Sequence, residues 1–516
     1  MQQSQSKQQV GGILGFIERI GNKIPDITIL FISAFLLVCV VSAVLAQIHF
    51  NYVHPATGRP IEITNMLSGK ALVDLMSKMV TNYANFPPLS MVIVATLGIG
   101  IADGSGYINT GLKKILSITP KVLITPVVIL VGMLSHLGPD SGYVIIIPIA
   151  AYMFYAVGKH PLAGIAASFA GIAGAFAANY TPSAIDPVIQ GFTQSAAQII
   201  DPGYQVNVLC NYFYAFASTF IVIGACWWVT EKITNPWLWK ACPIDEDLDL
   251  GNENNSSITP SENRAFKIAT AVLLLMLTGL AAALYPADSI LRAPDGVVAS
   301  FKAPIMQSIV SLIFIFAALV GLVYGISCGK FKSPKDVTAA MEEITKTLVQ
   351  LIVFYFFAAQ FLYAFGASNM GALIAVSGAE FLKSLNLPPQ VTVFGIIVFV
   401  ALLNLIITSA SAKWAILAPI FVPMLMAVGI APELTQVAFR VSDSAVNVVT
   451  PMFAFYPLII LYCQKYVKNA GIGTLSSMML PYTIALLVSL TFMLYLFWWL
   501  DIPLGFQADY VYPRRF

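Results

Sequence analysis

The segment Phe439-Arg440-Val441-Ser442-Asp443-Ser444-Ala445-Val446-Asn447 sets a guanidinium, a carboxylate and an amide at intervals of three and four residues inside apolar sequence. On a helix this spacing puts Arg440, Asp443 and Asn447 on one face. An ionisable group at membrane depth costs roughly 3 kcal/mol or more, so it marks a functional candidate. A guanidinium there can grip a carboxylate through two hydrogen bonds. A carboxylate beside amide oxygens can take Na⁺ or a proton. The alternative is an Arg440–Asp443 pair that only neutralises itself, although such a pair leaves the adjacent break at Pro451 unexplained.

A second cluster surrounds the polar break Thr408-Ser409-Ala410-Ser411, with Asn404 before it and Lys413 and Trp414 after it. Hydroxyls, freed carbonyls and helix ends at such a break can ligate ions or substrate groups, and an indole can stack on an aromatic ligand. Against this stand close packing by small residues, an interfacial tryptophan and a lysine that snorkels to the surface. In the first half the acids to weigh are Asp186, followed by Pro187 and preceded by Asn179, Thr181 and Ser183, and Asp140, which can equally cap a helix. Asp103 and Ser368-Asn369 either face the breaks or cap spans at the interface. The four histidines are too dispersed for a metal site, and only His136 is near a candidate. Phosphate loops, nucleophile elbows and zinc signatures are lacking, so neither an enzyme nor an ATP-driven pump is expected.

The elements that must hold these residues are membrane helices. The 516 residues are 58% hydrophobic and 10% charged, and the mean hydropathy is +0.81, outside the range of soluble domains. A net charge of +2 without a basic block excludes nucleic acid as a partner. The six cysteines are scattered and suit packing. The first 26 residues suit an amphipathic segment at the interface rather than a secretory signal. Runs near the roughly 20 residues that cross hydrocarbon fall at about 26–48, 87–108, 162–199, 207–230, 265–285, 303–326, 345–368, 432–463 and 474–500. A short surface helix is expected within 61–80. Two further stretches, about 121–157 and 389–428, are split by polar breaks and predict re-entrant hairpins. The spans at 162–199 and 432–463 are themselves broken, at Asn179 to Ser183 and at Asn447 to Pro451. Broken helices survive in a bilayer only where they line a cavity.

The pattern Pro-Ile-x-x-x-Met-x-x-Ala-Val-Gly-x-x-Pro occurs at 148–161 and again at 419–432, forming the second limbs of both hairpins. Lysines and arginines in short loops put the N-terminus in the cytoplasm and the C-terminus outside, against the vote of Arg514 and Arg515. The hairpins then enter from opposite faces, which makes the repeat inverted. The expected organisation is an N-terminal repeat (1–234), a cytoplasmic linker (235–263), a linking transmembrane helix (264–286) and a C-terminal repeat (287–516).

The stretches His160 to Ile165, Ala178-Asn179, Ile185-Asp186-Pro187, Ile199 to Pro202, Val229 to Ile233 and SASAKWAILAPIFVPM (409–424), with Arg440, Asp443 and Thr450-Pro451, resemble the AbgT family of p-aminobenzoyl-glutamate transporters. The resemblance covers about 21–499. It implies a dimeric inner-membrane carrier with nine spans and two hairpins. It further implies uptake of p-aminobenzoyl-glutamate, a folate breakdown product, or export of sulfonamide antimetabolites, coupled to a cation gradient. The family's functional positions fall on Asp186, Asn404, Ser411, Trp414, Pro432, Arg440, Asp443 and Pro451. One departure bears on the substrate: Tyr180-Thr181-Pro182-Ser183 is more polar and more rigid than the family's stretch at this place.

The expectation is therefore an all-α integral membrane protein, an inverted-repeat secondary transporter with about nine transmembrane helices and two re-entrant hairpins. Arg440 would hold a substrate carboxylate and Trp414 a ring, with Ser411, Asp186, Pro432 and Pro451 also at the substrate. Asp443, Asn404, Asn447 and Asp186 would meet the coupling cation, with a bound Na⁺ at Asn404 and Asp443 and no other cofactor. The competing readings are a carrier of aliphatic carboxylates, a cation/proton antiporter and, disfavoured by the repeat, a passive channel.

Overall fold

Apolar runs that cannot leave backbone groups unpaired in lipid become helices, and helices are what the chain forms. The computed structural model describes residues 25–54, 58–137, 141–183, 185–245 and 258–514. The proposed interfacial segment up to residue 24, the tip Gly138-Pro139-Asp140, residues 246–257 of the polar linker and Arg515 lie outside the described residues. Within them there is no β-strand, only two isolated bridges.

In chain order the helices are α1 (Ile27–Leu45), α2 (Gly69–Ala84), α3 (Pro87–Ser105), α4 (Tyr107–Ser117), α5 (Ile124–Leu134), α6 (Ser141–Ala156), α7 (Pro161–Gly174), α8 (Ile185–Ala197) and α9 (Tyr212–Ala241). Helix α10 (Pro260–Leu284) follows. The series then recurs as α11 (Ile309–Cys328), α12 (Pro334–Lys346), α13 (Val349–Ala367), α14 (Met370–Ser384), α15 (Pro389–Asn404), α16 (Ala410–Met426), α17 (Pro432–Val446), α18 (Tyr456–Gln464) and α19 (Ile472–Trp499). Helices α1, α2 with α3, α9, α10, α11, α13 and α19 are each long and apolar enough to cross a bilayer. Among the described residues these make seven candidate spans, or nine if the bent pairs α4–α5 and α14–α15 each count as one; α7–α8 and α17–α18 are the broken spans, and α5–α6 and α15–α16 the hairpins, of the sequence expectation.

The two series share local devices. Helices α6 and α16 both carry an internal proline, Pro148 and Pro419, and both end at a left-handed glycine, Gly158 (φ +79°) and Gly429 (φ +88°). The amides of Lys159 and Ile430 then reach back to the carbonyls of Phe154 and Leu425, each at 2.9 Å, closing the Schellman bond that left-handed glycine permits. Pro161 and Pro432 start the next helix, where a missing N–H costs nothing. The duplicated fourteen-residue pattern is thus a helix stop followed by a helix start.

Helices α4 and α14 are additions to the sequence expectation, being too short and too amphipathic to register as spans. Each begins at a left-handed corner, Gly106 (φ 92°) and Asn369 (φ 61°), and meets its hairpin at 120° and 116° respectively. The hydroxyls of Ser105 and Ser368 accept from the amides of Tyr107 and Met370 at 3.2 and 3.3 Å. Ser368-Asn369 therefore forms the cap of α14.

The series pack by exchange, α1 against α13 and α11 against α3. The α3–α11 crossing is backbone-close: a Cβ on Gly98 would lie 2.5 Å from the Phe314 carbonyl oxygen, and one on Gly321 would lie 2.6 Å from the Ala102 Cα. Small residues permit such approaches in membranes. Gly98→Leu or Gly321→Leu is expected to destabilise the protein by roughly 1–3 kcal/mol, since backbone cannot yield as a side chain can. Gly395→Leu, with nothing within 4 Å, is expected to leave thermal unfolding in detergent unchanged.

Candidate functional site

Helix α17 is buried along its whole length. Glu433, Gln436, Arg440, Asp443 and Asn447 follow one another at steps of three, four, three and four, one polar stripe on a helix that would otherwise read as core. Each member meets a partner from another element, and no pair forms between Arg440 and Asp443.

Arg440 Nη1 donates to Asp186 Oδ1 at 2.7 Å, an ion pair with side chains 6% and 11% exposed that joins α17 to the start of α8. Asp186 is held in turn by Ser183, whose amide and hydroxyl donate to Oδ2 at 2.7 and 3.1 Å. Arg440 Nη2 makes no hydrogen bond. The void against this pair holds about 10 Å³, too small for a solute.

Asp443 faces Lys413 on α16, with Nζ 2.7 Å from Oδ1 and both side chains buried. Lys413 also donates to Asn404 Oδ1 at the end of α15. The Asn404 amide nitrogen donates to the Asp443 carbonyl at 2.8 Å and to Asn447 Oδ1 at 3.0 Å. Of the four residues expected to meet the cation, Asp443, Asn404 and Asn447 are therefore together, while Asp186 lies apart on Arg440; the position for a bound Na⁺ at Asn404 and Asp443 is taken by an ammonium. Na⁺ does not fit this arrangement. A second unit charge about 4 Å away is repelled by about 4 kcal/mol at an effective dielectric of 20. The snorkelling alternative for Lys413 fails as well, because the side chain is fully enclosed.

Trp414 differs from its expected place. Its ring is fully buried and stacks on Phe439 with centroids 4.4 Å apart, while its indole N–H donates to Thr193 Oγ1 at 2.8 Å. Thr193 lies 2.6 Å from Gln436 Oε1, and Gln436 donates onward to Asn211 Oδ1 at 2.7 Å. The indole thus ties the second hairpin to α8 and α17, and Phe439 takes the stacking partnership foreseen for a ligand. Pro432 starts α17, and Pro451 lies in the break after it. Neither lines the cavity described next.

A cavity of about 340 Å³ opens where the elements converge, within the size range of small-molecule sites. Ser135 and His136 of the first hairpin, Ser411 of the second, and Phe176 and Ser183 of the first broken span line it, with Tyr143 on α6. Its walls are rings and aliphatic groups from α3 and the start of α13, interrupted by hydroxyls. His136 pins the first hairpin to the break, its ring nitrogens each 2.6 Å from Asn179 Oδ1 and the Ile172 carbonyl. Tyr143 stacks on Phe455 of the second break, centroids 4.1 Å apart. Such a space can take a ring-bearing solute with polar ends.

The sequence profile of the AbgT putative transporter family matches residues 12–512. This chain belongs to that family. It is a multi-pass membrane transporter, not an enzyme. It is 33% identical over 511 residues to the p-aminobenzoyl-glutamate transport protein of Escherichia coli (strain K12), covering 99% of this chain and 98% of that one. Its fold matches the crystal structure of the Alcanivorax borkumensis YdaH transporter with a TM-score of 0.87 at 37% identity, over 93% of this chain and 100% of that one. Neisseria gonorrhoeae MtrF, described as illuminating a class of antimetabolite efflux pumps, matches with a TM-score of 0.89 at 39% identity, over 96% and 100%.

Within this AbgT-family fold, Glu433 and Gln436 escaped the sequence reading although their spacing extends the stripe already recognised. Glu433 is fully buried, 2.6 Å from Arg514 Nη2, with the Tyr204 hydroxyl donating to it at 3.0 Å. Thr193, with Asp186 and Gln190, forms a matching stripe on α8, whose steps of four and three were equally legible.

Proposed function

We propose that this transporter carries a small aromatic carboxylate of the p-aminobenzoyl-glutamate type by alternating access, drawing on a cation gradient. The observation that carries the reading is the cavity formed jointly by both hairpins and the first break, with ring walls and hydroxyls and a buried guanidinium behind Ser183. Phe176 and Tyr143 take the ring, and Ser411 and Ser183 take polar groups. The substrate carboxylate displaces Asp186 at Arg440, so binding loosens a link between α8 and α17. Trp414, Pro432 and Pro451 position these helices. Asp443, Asn404 and Asn447 form the charged cluster that answers the gradient.

The parallel helix series support two inverted repeats, 1–234 and 287–516, joined through 235–263 and 264–286. Their sharing of the cavity suits a rocking exchange of access. The carrier sits in the inner membrane with the N-terminus cytoplasmic and the C-terminus outside, as a homodimer on the strength of the family resemblance.

Equilibrium binding of labelled p-aminobenzoyl-glutamate and of glutamate to purified protein tests the substrate class. Ser411→Trp, which fills the cavity, is expected to weaken binding of the aromatic solute at least roughly tenfold, about 1.4 kcal/mol. Phe176→Ala should weaken it while leaving glutamate unaffected. Equal affinity for both solutes, indifferent to Phe176→Ala, would favour the aliphatic carrier instead.

A further inference from the structure

We infer that Lys413 is the resident cation of this carrier, a tethered ammonium holding the place of a sodium ion and deciding which ions the Asp443 cluster admits. The inference rests on the proposed assignment of that cluster to the gradient, and goes beyond it by naming the group that sets ion selectivity.

Three observations carry it. The ammonium lies 2.7 Å from Asp443 Oδ1 and bonds Asn404 Oδ1, so it touches the oxygens that a hard cation would need. Asn404 is oriented for this: its nitrogen donates both to the Asp443 carbonyl and to Asn447 Oδ1, which turns its oxygen towards Lys413. The third wall is the Phe439 ring, its centroid 5.8 Å from Nζ, offering a π face to a cation. A lysine kept only for packing would not require an amide fixed by two acceptors, nor a buried carboxylate with neither oxygen hydrogen-bonded and the ammonium as its ionic partner. Removing the ammonium leaves Asn404 Oδ1 and the Asp443 carboxylate converging on one point, a latent site for Na⁺.

The test is thermal unfolding of the purified full-length protein at fixed pH and ionic strength, with NaCl exchanged for choline chloride. The wild type is expected to unfold at the same temperature in both salts. Lys413→Ala is expected to gain a saturable upward shift with Na⁺, absent from Lys413→Ala/Asp443→Asn. Lys413→Arg, which keeps a resident charge, should remain indifferent. Lys413→Gln replaces the alanine variant should that fail to fold. A saturable Na⁺ shift in the wild type overturns the inference, whatever the variants do. So does a folded neutral variant that ignores Na⁺. Because the readout is ion binding, a failure of substrate uptake would count against the proposed function and not against this assignment.

Discussion

Arg440→Ala is expected to abolish substrate transport and to destabilise the protein by roughly 3–5 kcal/mol, the usual consequence of leaving a buried charge without its partner. The charge left behind is Asp186, whose Oδ1 has Arg440 Nη1 at 2.7 Å as its ionic partner. Arg440→Lys separates the two effects. A lysine keeps the charge opposite Asp186 and so most of the stability, but it loses the planar fork that receives a carboxylate through two bonds. Binding should therefore fall steeply while the unfolding temperature moves little. If Arg440→Lys binds p-aminobenzoyl-glutamate as the wild type does, the guanidinium is a structural pair and the assignment to the carboxylate is wrong.

Asp443→Ala should be comparably damaging, again by roughly 3–5 kcal/mol, because Lys413 is fully enclosed and would lose the partner of its buried charge. The informative comparison is Lys413→Met/Asp443→Leu. Replacing a buried ion pair by apolar groups of similar volume is often neutral or stabilising, so the double variant is expected to recover the stability lost by Asp443→Ala. It should not recover gradient-driven uptake, since the charges themselves are gone. Recovery of both would reduce the pair to packing; unfolding measurements and proteoliposome uptake on the same preparations decide the matter.

The spans and hairpins were legible because lipid imposes their length and apolarity, and because a polar break within such a run has few physical explanations. Arg440, Asp443 and Asn447 were legible as a helical face, and Asp186 as an acid beside a break. Which charge meets which was not. Arg440 and Asp443 are three residues apart on one helix, yet their partners come from α8 and α16, 254 and 30 positions away by subtraction of the residue numbers. Spacing along one helix reports a shared face and says nothing of the helix opposite. Lys413 was misjudged for a related reason: a lysine one turn into a hairpin limb can reach the surface only if no neighbouring helix covers it, and α17 covers it. Trp414 was assigned to a ligand because an aromatic ring at a break suggests one, whereas Phe439 supplies the stacking partner internally. The Gly158 and Gly429 stops were visible as repeated letters, but their meaning required the left-handed backbone.

The central claim is that solute moves through the cavity shared by the two hairpins under a cation gradient. Uptake of labelled p-aminobenzoyl-glutamate into proteoliposomes, with H⁺ and Na⁺ gradients imposed separately, tests it most directly. The account predicts uptake that saturates with substrate, rises above the no-gradient level under an imposed cation gradient and is lost in Ser411→Trp. Uptake that grows linearly with concentration, ignores both gradients and survives Ser411→Trp would contradict it.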